Sequence, residues 1–175
     1  ALHVWTLGYQ AIYSTNVVID AIDENTTDAT LKQLLGENLF LRALIHHDLV
    51  RVFARPYTNG DPTQNLGIMI RNNADPNNIP PRSTVKECYD FIVSDLLKAA
   101  EYMNEEKSNI YASKEVAYAL LARMYLYMGD NDKAIQYADL VINSGRYELL
   151  NTEEYRKYFT FFPEENKETI FAIKL

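Results

Sequence analysis

This 175-residue chain is poor in the residues that most often announce chemistry. It has one cysteine, Cys88, so no disulfide can close within it, and cysteine usage does not identify a compartment. Cys88 falls on an apolar helical stripe, where a small buried hydrophobe is the expected role. The three histidines, His3, His46 and His47, include no pair four residues apart. Consecutive helical residues diverge by about 100°, so His46, His47 and Asp48 cannot converge on one metal ion, and structural histidines are expected. The six glycines form no GxSxG elbow, no GxGxxG turn and no Walker-type loop. Basic residues are outnumbered 17 to 24, the net charge is −7, and no helical stretch carries a stripe of lysine and arginine. Nucleic acid is therefore not an expected partner. No apolar run approaches the roughly 20 residues that span a bilayer. No catalytic residue, no metal and no cofactor is expected.

Apolar residues are plentiful, at 47% of the chain, so one substantial core is within reach. Thirteen tyrosines against one tryptophan suit helix seams and wettable surfaces better than a dry cofactor pocket. The most informative stretch is 113–150. It reads as two antiparallel helices joined by a tight turn at Gly129, with Tyr118, Leu121, Ala122 and Tyr125 on the first and Ala134 and Ala138 on the second. The alanines leave room for the facing helix and the tyrosines fill the groove beside them. This is tetratricopeptide-repeat spacing, and such repeats present surfaces to partners. Ser113 and Asp130 supply the caps, Gly145 the stop, and the 113–128 helix is expected to be the most buried in the chain.

Upstream, a helix is expected from about Val4 to Ile22, with Leu7, Ala11, Val18 and Ile22 on its apolar face. A second runs to about Phe53, opened by a Thr30/Gln33 capping box. It carries two stripes, Leu39, Ala43, Val50, Phe53 and Leu41, Ile45, Leu49, Val52, as an inner helix requires. Residues 54–83 then hold five of the six prolines and six asparagines, forming an inserted loop into which Leu66, Ile68, Met69 and Ile70 bring apolar anchors. Thr84 and Glu87 open a third helix whose face is Val85, Cys88, Tyr89, Ile92, Leu96, Ala99, Ala100 and Met103. A short extended piece at 147–150, a short helix at 153–159 and a terminal strand at 168–175 complete the reading. The carboxylates of 23–28 and 164–168 are expected to face water, and Asp130, Asp132, Glu153 and Glu154 to favour helix N-termini. The fold class is mainly α: antiparallel helix pairs of tetratricopeptide type, an α-solenoid, with a long inserted loop and a short C-terminal strand. The chain, 1–175, is read as one helical-repeat domain. It has neither an initiating methionine nor a signal peptide, and is expected to be a piece of a longer protein.

The segment ENLFLRALIHHDLVRVFARP contains Glu37, Leu41, Arg42, Ala43, Leu49, Phe53 and Pro56 in an order and spacing that resemble a family's long helix. RSTVKECYDFIVSDLLKAA follows, with Arg82, Thr84, Val85, Glu87, Tyr89, Ile92, Asp95, Leu96 and Ala99. The helical pair, SGRYEL and ETIFAI complete the order. Together these resemble the SusD/RagB family of outer-membrane nutrient-binding lipoproteins of Bacteroidota. The chain departs from it at His46 and His47, where the family usually has aromatics, and at Ala54, where it has glycine.

The resemblance implies a non-catalytic, cell-surface protein that captures oligosaccharides or other nutrients and passes them to a SusC-like, TonB-dependent outer-membrane transporter. Membrane attachment would come only through an N-terminal lipid anchor that lies outside this sequence. No binding residue is carried over by motif, so candidates come from chemistry: sugar rings stack on flat aromatics, and hydroxyls need amides and carboxylates. Trp5 is the lone tryptophan, a stacking platform or a helix-capping hydrophobe. Tyr57, Asn59, Asp61 and Asn65 cluster on the inserted loop, as ligand contacts or as turn formers. The alternative function is a generic tetratricopeptide-type scaffold holding a peptide or protein in its concave groove.

Overall fold

A computed structural model describes residues 2–173. Five helices follow one another along the chain: α1 (Leu2–Asp20), α2 (Ala29–Phe53), α3 (Val85–Tyr102), α4 (Lys114–Met128) and α5 (Asn131–Ile142). A single-turn α6 (Thr152–Arg156) and two 3₁₀ turns, Tyr158–Thr160 and Pro163–Glu165, come after them. Each of α1 to α4 packs on the helix that follows it. The direction of packing shows in the partners. On α1 and α2, Trp5 meets Phe53 and Asn16 meets Arg42; between α2 and α3, Arg42 meets Asp95, and Gln33 meets Asn104 just past the end of α3. Positions rise on one helix as they fall on the other, so these pairs are antiparallel.

The caps explain where the helices start. Thr84 and Glu87 form a reciprocal capping box on α3, and Ser113 and Asp130 cap α4 and α5. For α2 the cap is Asp28, whose carboxylate accepts from the Thr30 and Leu31 amides. Thr30 therefore lies inside the first turn and is not the cap. Gly129 closes α4 at φ +80°, a conformation that favours glycine, and turns the chain directly into α5. Across that turn Tyr137 stacks on Tyr125 at 5.5 Å and meets Tyr118 at 6.0 Å, with Ala122, Ala134 and Ala138 half-buried between the helices.

The apolar face of α3 is buried residue for residue as the periodicity predicts. It is also the densest, with nine of 18 residues buried against six of 15 on α4, so α3 is the most buried of the two. The α1 face differs. Leu7 and Ala11 are exposed, while Ile12, Thr15 and Asn16 are buried. Val52 on α2 is exposed as well, and Arg42, His46 and His47 take interior places. Polar side chains thus define part of what hydrophobicity alone assigned to neighbouring positions.

The inserted loop is packed. Ile68 is fully enclosed, and Gly67 and Ser83 exchange backbone bonds with partners across the Leu66–Thr84 bridge. The expected terminal strand is absent among the described residues. Backbone groups of 168–173 find no neighbouring strand; Ala172 donates to the Asn109 carbonyl at 2.8 Å, and Phe171 sets its ring edge-on to Phe40 at 5.3 Å. Strand propensity without a pairing edge leaves a packed extended tail. The final two positions of that expectation, Lys174 and Leu175, lie outside the described residues. Of the acidic stretches, Glu24 does not simply face water, since it accepts from Lys98 at 2.6 Å and from Tyr102 at 3.0 Å.

Candidate functional site

Behind the inserted loop lies a buried polar cluster that fixes its course. Arg42 grips Asp95 with both arms of its fork, Nε to Oδ2 at 2.7 Å and Nη2 to Oδ1 at 2.8 Å. Its Nη1 donates to Asn16 Oδ1 at 2.8 Å and to the Asn72 carbonyl at 3.2 Å. Asn16 in turn donates from Nδ2 to the carbonyls of Arg71 (3.1 Å) and Asn73 (3.0 Å). The Arg71 amide donates to His46 Nε2 at 3.3 Å, which leaves Nδ1 as the proton-bearing nitrogen, donating to the Arg42 carbonyl at 2.8 Å. Burial pushes the His46 imidazole down to about 4, so this arrangement uses the neutral ring. Burial raises the Asp95 carboxyl, and the Arg42 fork opposes that rise. Backbone groups of residues 71–73 are thereby pinned by side chains from α1 and α2.

The pinned loop forms one wall of a groove of about 590 Å³, and α1 forms the other. That volume is within the usual range for a small-molecule site. The helix presents Trp5, Tyr9 and Tyr13 at four-residue intervals, a rise of about 6 Å along its axis between successive backbone attachment points. Trp5 is braced by Phe53, edge-on at 4.8 Å, and by Tyr9 at 4.8 Å. The Tyr9 hydroxyl donates to the Met69 carbonyl at 2.8 Å and ties the walls together. Burial raises that phenol to about 12, so it stays protonated. Tyr13 is 47% exposed, its ring available at the open end. Met69, Arg71, Asn73 and Pro76 face it, with Gln10 and Ser14 adding polar groups. Such a surface can stack apolar ring faces and hydrogen-bond hydroxyls at their rims.

Among the five residues singled out from sequence, only Trp5 lines this groove. Tyr57 leans on Tyr89 at 4.9 Å and lines a separate pocket of about 340 Å³ with Arg51, Arg55 and Tyr127. Asn59, Asp61 and Asn65 hold a turn together. Asn65 Nδ2 donates to the Asn59 carbonyl at 2.8 Å, and Asp61 accepts from the Thr63 amide and hydroxyl at 2.9 and 2.7 Å. Those two bonds hold the exposed Asp61 carboxyl below its ordinary range. Tyr9, Tyr13, Met69 and Arg71 were not singled out. The repeat of aromatics at 5, 9 and 13 was a readable signal for the first two; the loop residues carry none.

A family model for starch-binding proteins associating with the outer membrane matches residues 1–126. The chain belongs to the SusD-like family. A SusD-like protein of Formosa agariphila is 31% identical over 153 residues, 86% of this chain and 27% of that protein. A SusD-like protein of Bacteroides ovatus is 25% identical over 97% of the chain and 32% of its own length. The SusD-like chain thus spans about a quarter to a third of these curated relatives. Its backbone is similar to that of a SusD superfamily protein from Bacteroides thetaiotaomicron, with a TM-score of 0.86 and 34% identity over 98% of this chain and 38% of that one. It is also similar to a SusD-like carbohydrate binding protein from Bacteroides vulgatus, with a TM-score of 0.77 and 26% identity over 87% of this chain and 33% of that one.

Proposed function

We propose that the SusD-like chain is part of a cell-surface saccharide-binding protein that works with a SusC-like, TonB-dependent transporter at the outer membrane. In this reading it holds nutrient glycans without transforming them, and a lipid anchor on the longer protein keeps it at the surface. The observation that carries the reading is the row of Trp5, Tyr9 and Tyr13 along one wall of the groove, opposite a loop fixed in place from behind. Fixed aromatic faces lower the ordering cost of binding a sugar chain. Family membership and the Bacteroides vulgatus carbohydrate binding protein support the same ligand class.

The test is calorimetric titration of the full-length protein with ligands identified on a glycan array. Tyr13→Ala is the informative variant, because its ring is half-exposed and its loss should spare the fold. Affinity is expected to fall about tenfold, equivalent to about 1.4 kcal/mol. Undiminished affinity would remove the groove as the binding surface. Co-purification of a TonB-dependent transporter with the full-length protein tests the partnership separately.

A further inference from the structure

Arg71 is the only charged side chain among the residues lining the groove, in a chain whose net charge is −7. Its Nη2 donates to the Asp75 carbonyl oxygen at 2.8 Å, and among the described residues it is in no ion pair. Two carboxylates hold the same loop without lining the groove: Asp75 accepts from the Asn77 amide at 2.9 Å, and Asp20 from the Ala74 amide at 2.7 Å. Of the other guanidiniums at the loop, Arg42 is neutralised by Asp95 at 2.7 Å, and Arg82 donates to the Gly67 and Leu66 carbonyls without lining the groove. His46, which receives the Arg71 amide, is held neutral by burial. The groove lining therefore offers aromatic faces and one charged side chain, the Arg71 guanidinium, fixed on a loop whose backbone is pinned on both sides of it.

We propose that the groove selects anionic saccharides, those bearing a uronate carboxylate or a sulfate, with Arg71 as the group that reads the charge. The proposal rests on the saccharide-binding reading above. A guanidinium supplies parallel N–H donors to a planar carboxylate or to two sulfate oxygens, and does so better where aromatic surface excludes water. Neutral sugars would gain the stacking and the hydroxyl hydrogen bonds without the ion pair.

The experiment profiles full-length protein on an array pairing neutral glycans with their uronate and sulfated counterparts, then titrates the best pair by calorimetry at two salt concentrations. The acidic member is expected to bind about tenfold more tightly, and added salt should narrow the gap. Arg71→Gln, which keeps an amide donor for the Asp75 carbonyl, should bring the ratio of acidic to neutral affinity from about ten to about one. Arg71→Lys should retain part of it. Equal binding of neutral and acidic members by the wild type would overturn the charge selection while leaving saccharide binding intact. So would an Arg71→Gln variant that loses both affinities alike, since that is the mark of a loop-holding role. Binding to nothing on the array would instead defeat the saccharide reading itself.

Discussion

His47 is completely enclosed, yet neither of its ring nitrogens has a hydrogen-bond partner among the described residues. Its ring lies tilted against Tyr127 at 5.6 Å, so it behaves as an aromatic filler carrying two unused polar atoms. Burial pushes its imidazole down from 6.5 to about 4, and the neighbouring Arg51 and Arg123 push the same way. His46 is lowered to about 4 as well, chiefly by burial. Between pH 4 and 6.5 the unfolded chain thus binds more protons at both positions than the folded one. Stability is full above 6.5 and declines as pH falls toward 4, by roughly 3 kcal/mol for each ring. Replacing His47 by Phe should keep the contact with Tyr127 and remove the unpaired nitrogens. Urea unfolding at pH 7 is expected to show a gain of about 1 kcal/mol, and a series down to pH 4.5 a shallower loss. A variant as acid-sensitive as the wild type would show that His47 is not among the groups responsible.

At the scale of elements, the inserted loop is joined to α3 at very short range. A Cβ built on Gly67 would lie 2.6 Å from Cys88 Sγ and 2.9 Å from the Thr84 carbonyl oxygen, and the second of these belongs to the backbone at the α3 cap. Gly67→Ala is therefore expected to cost about 1–3 kcal/mol and to loosen the α3 start, read as a lower unfolding midpoint. An unchanged midpoint would mean that the loop can back away freely. How legible each element was follows from what its buried face is made of. The α3 face is apolar at helical spacing between a reciprocal cap and an exposed far side, so periodicity alone locates Val85 to Met103. On α1 the inward positions include Gly8, Thr15 and Asn16, which hydropathy counts as outward, and the face was read too far round toward Leu7 and Ala11. Trp5 was legible by rarity. Arg71 was not, because its importance comes from a loop path set by Arg42, Asn16 and His46, three residues from two helices. The terminal stretch shows the opposite error: Thr169, Ile170 and Phe171 favour strands, but pairing depends on a partner that residue preference cannot supply.

Across the whole molecule, burial is uneven. The apolar core joins residues of α1 to α4 and the inserted loop, whereas α5 contributes Val141 alone to the fully buried set and α6 contributes none. Phe159 and Phe162 stand largely exposed beyond them. The Arg42–Asp95 pair sits where α1, α2, α3 and the loop meet, so its loss should be felt by all four together. Asp95→Asn keeps the shape and removes the charge, leaving Arg42 buried without its counter-ion, a change that typically costs 3–5 kcal/mol, so about that much is expected here. In native-state hydrogen exchange of the wild type, amides of α5 and the tail should open at low free energy. Those of α2 and α3, and the Arg71 amide bonded to His46, should open only near the global value. In Asp95→Asn the protected set should lose protection by a common amount, with the α5 amides little changed. Loss confined to α3 would show that the polar cluster does not couple the loop to the helices, and the fixed groove wall would then lack its physical basis.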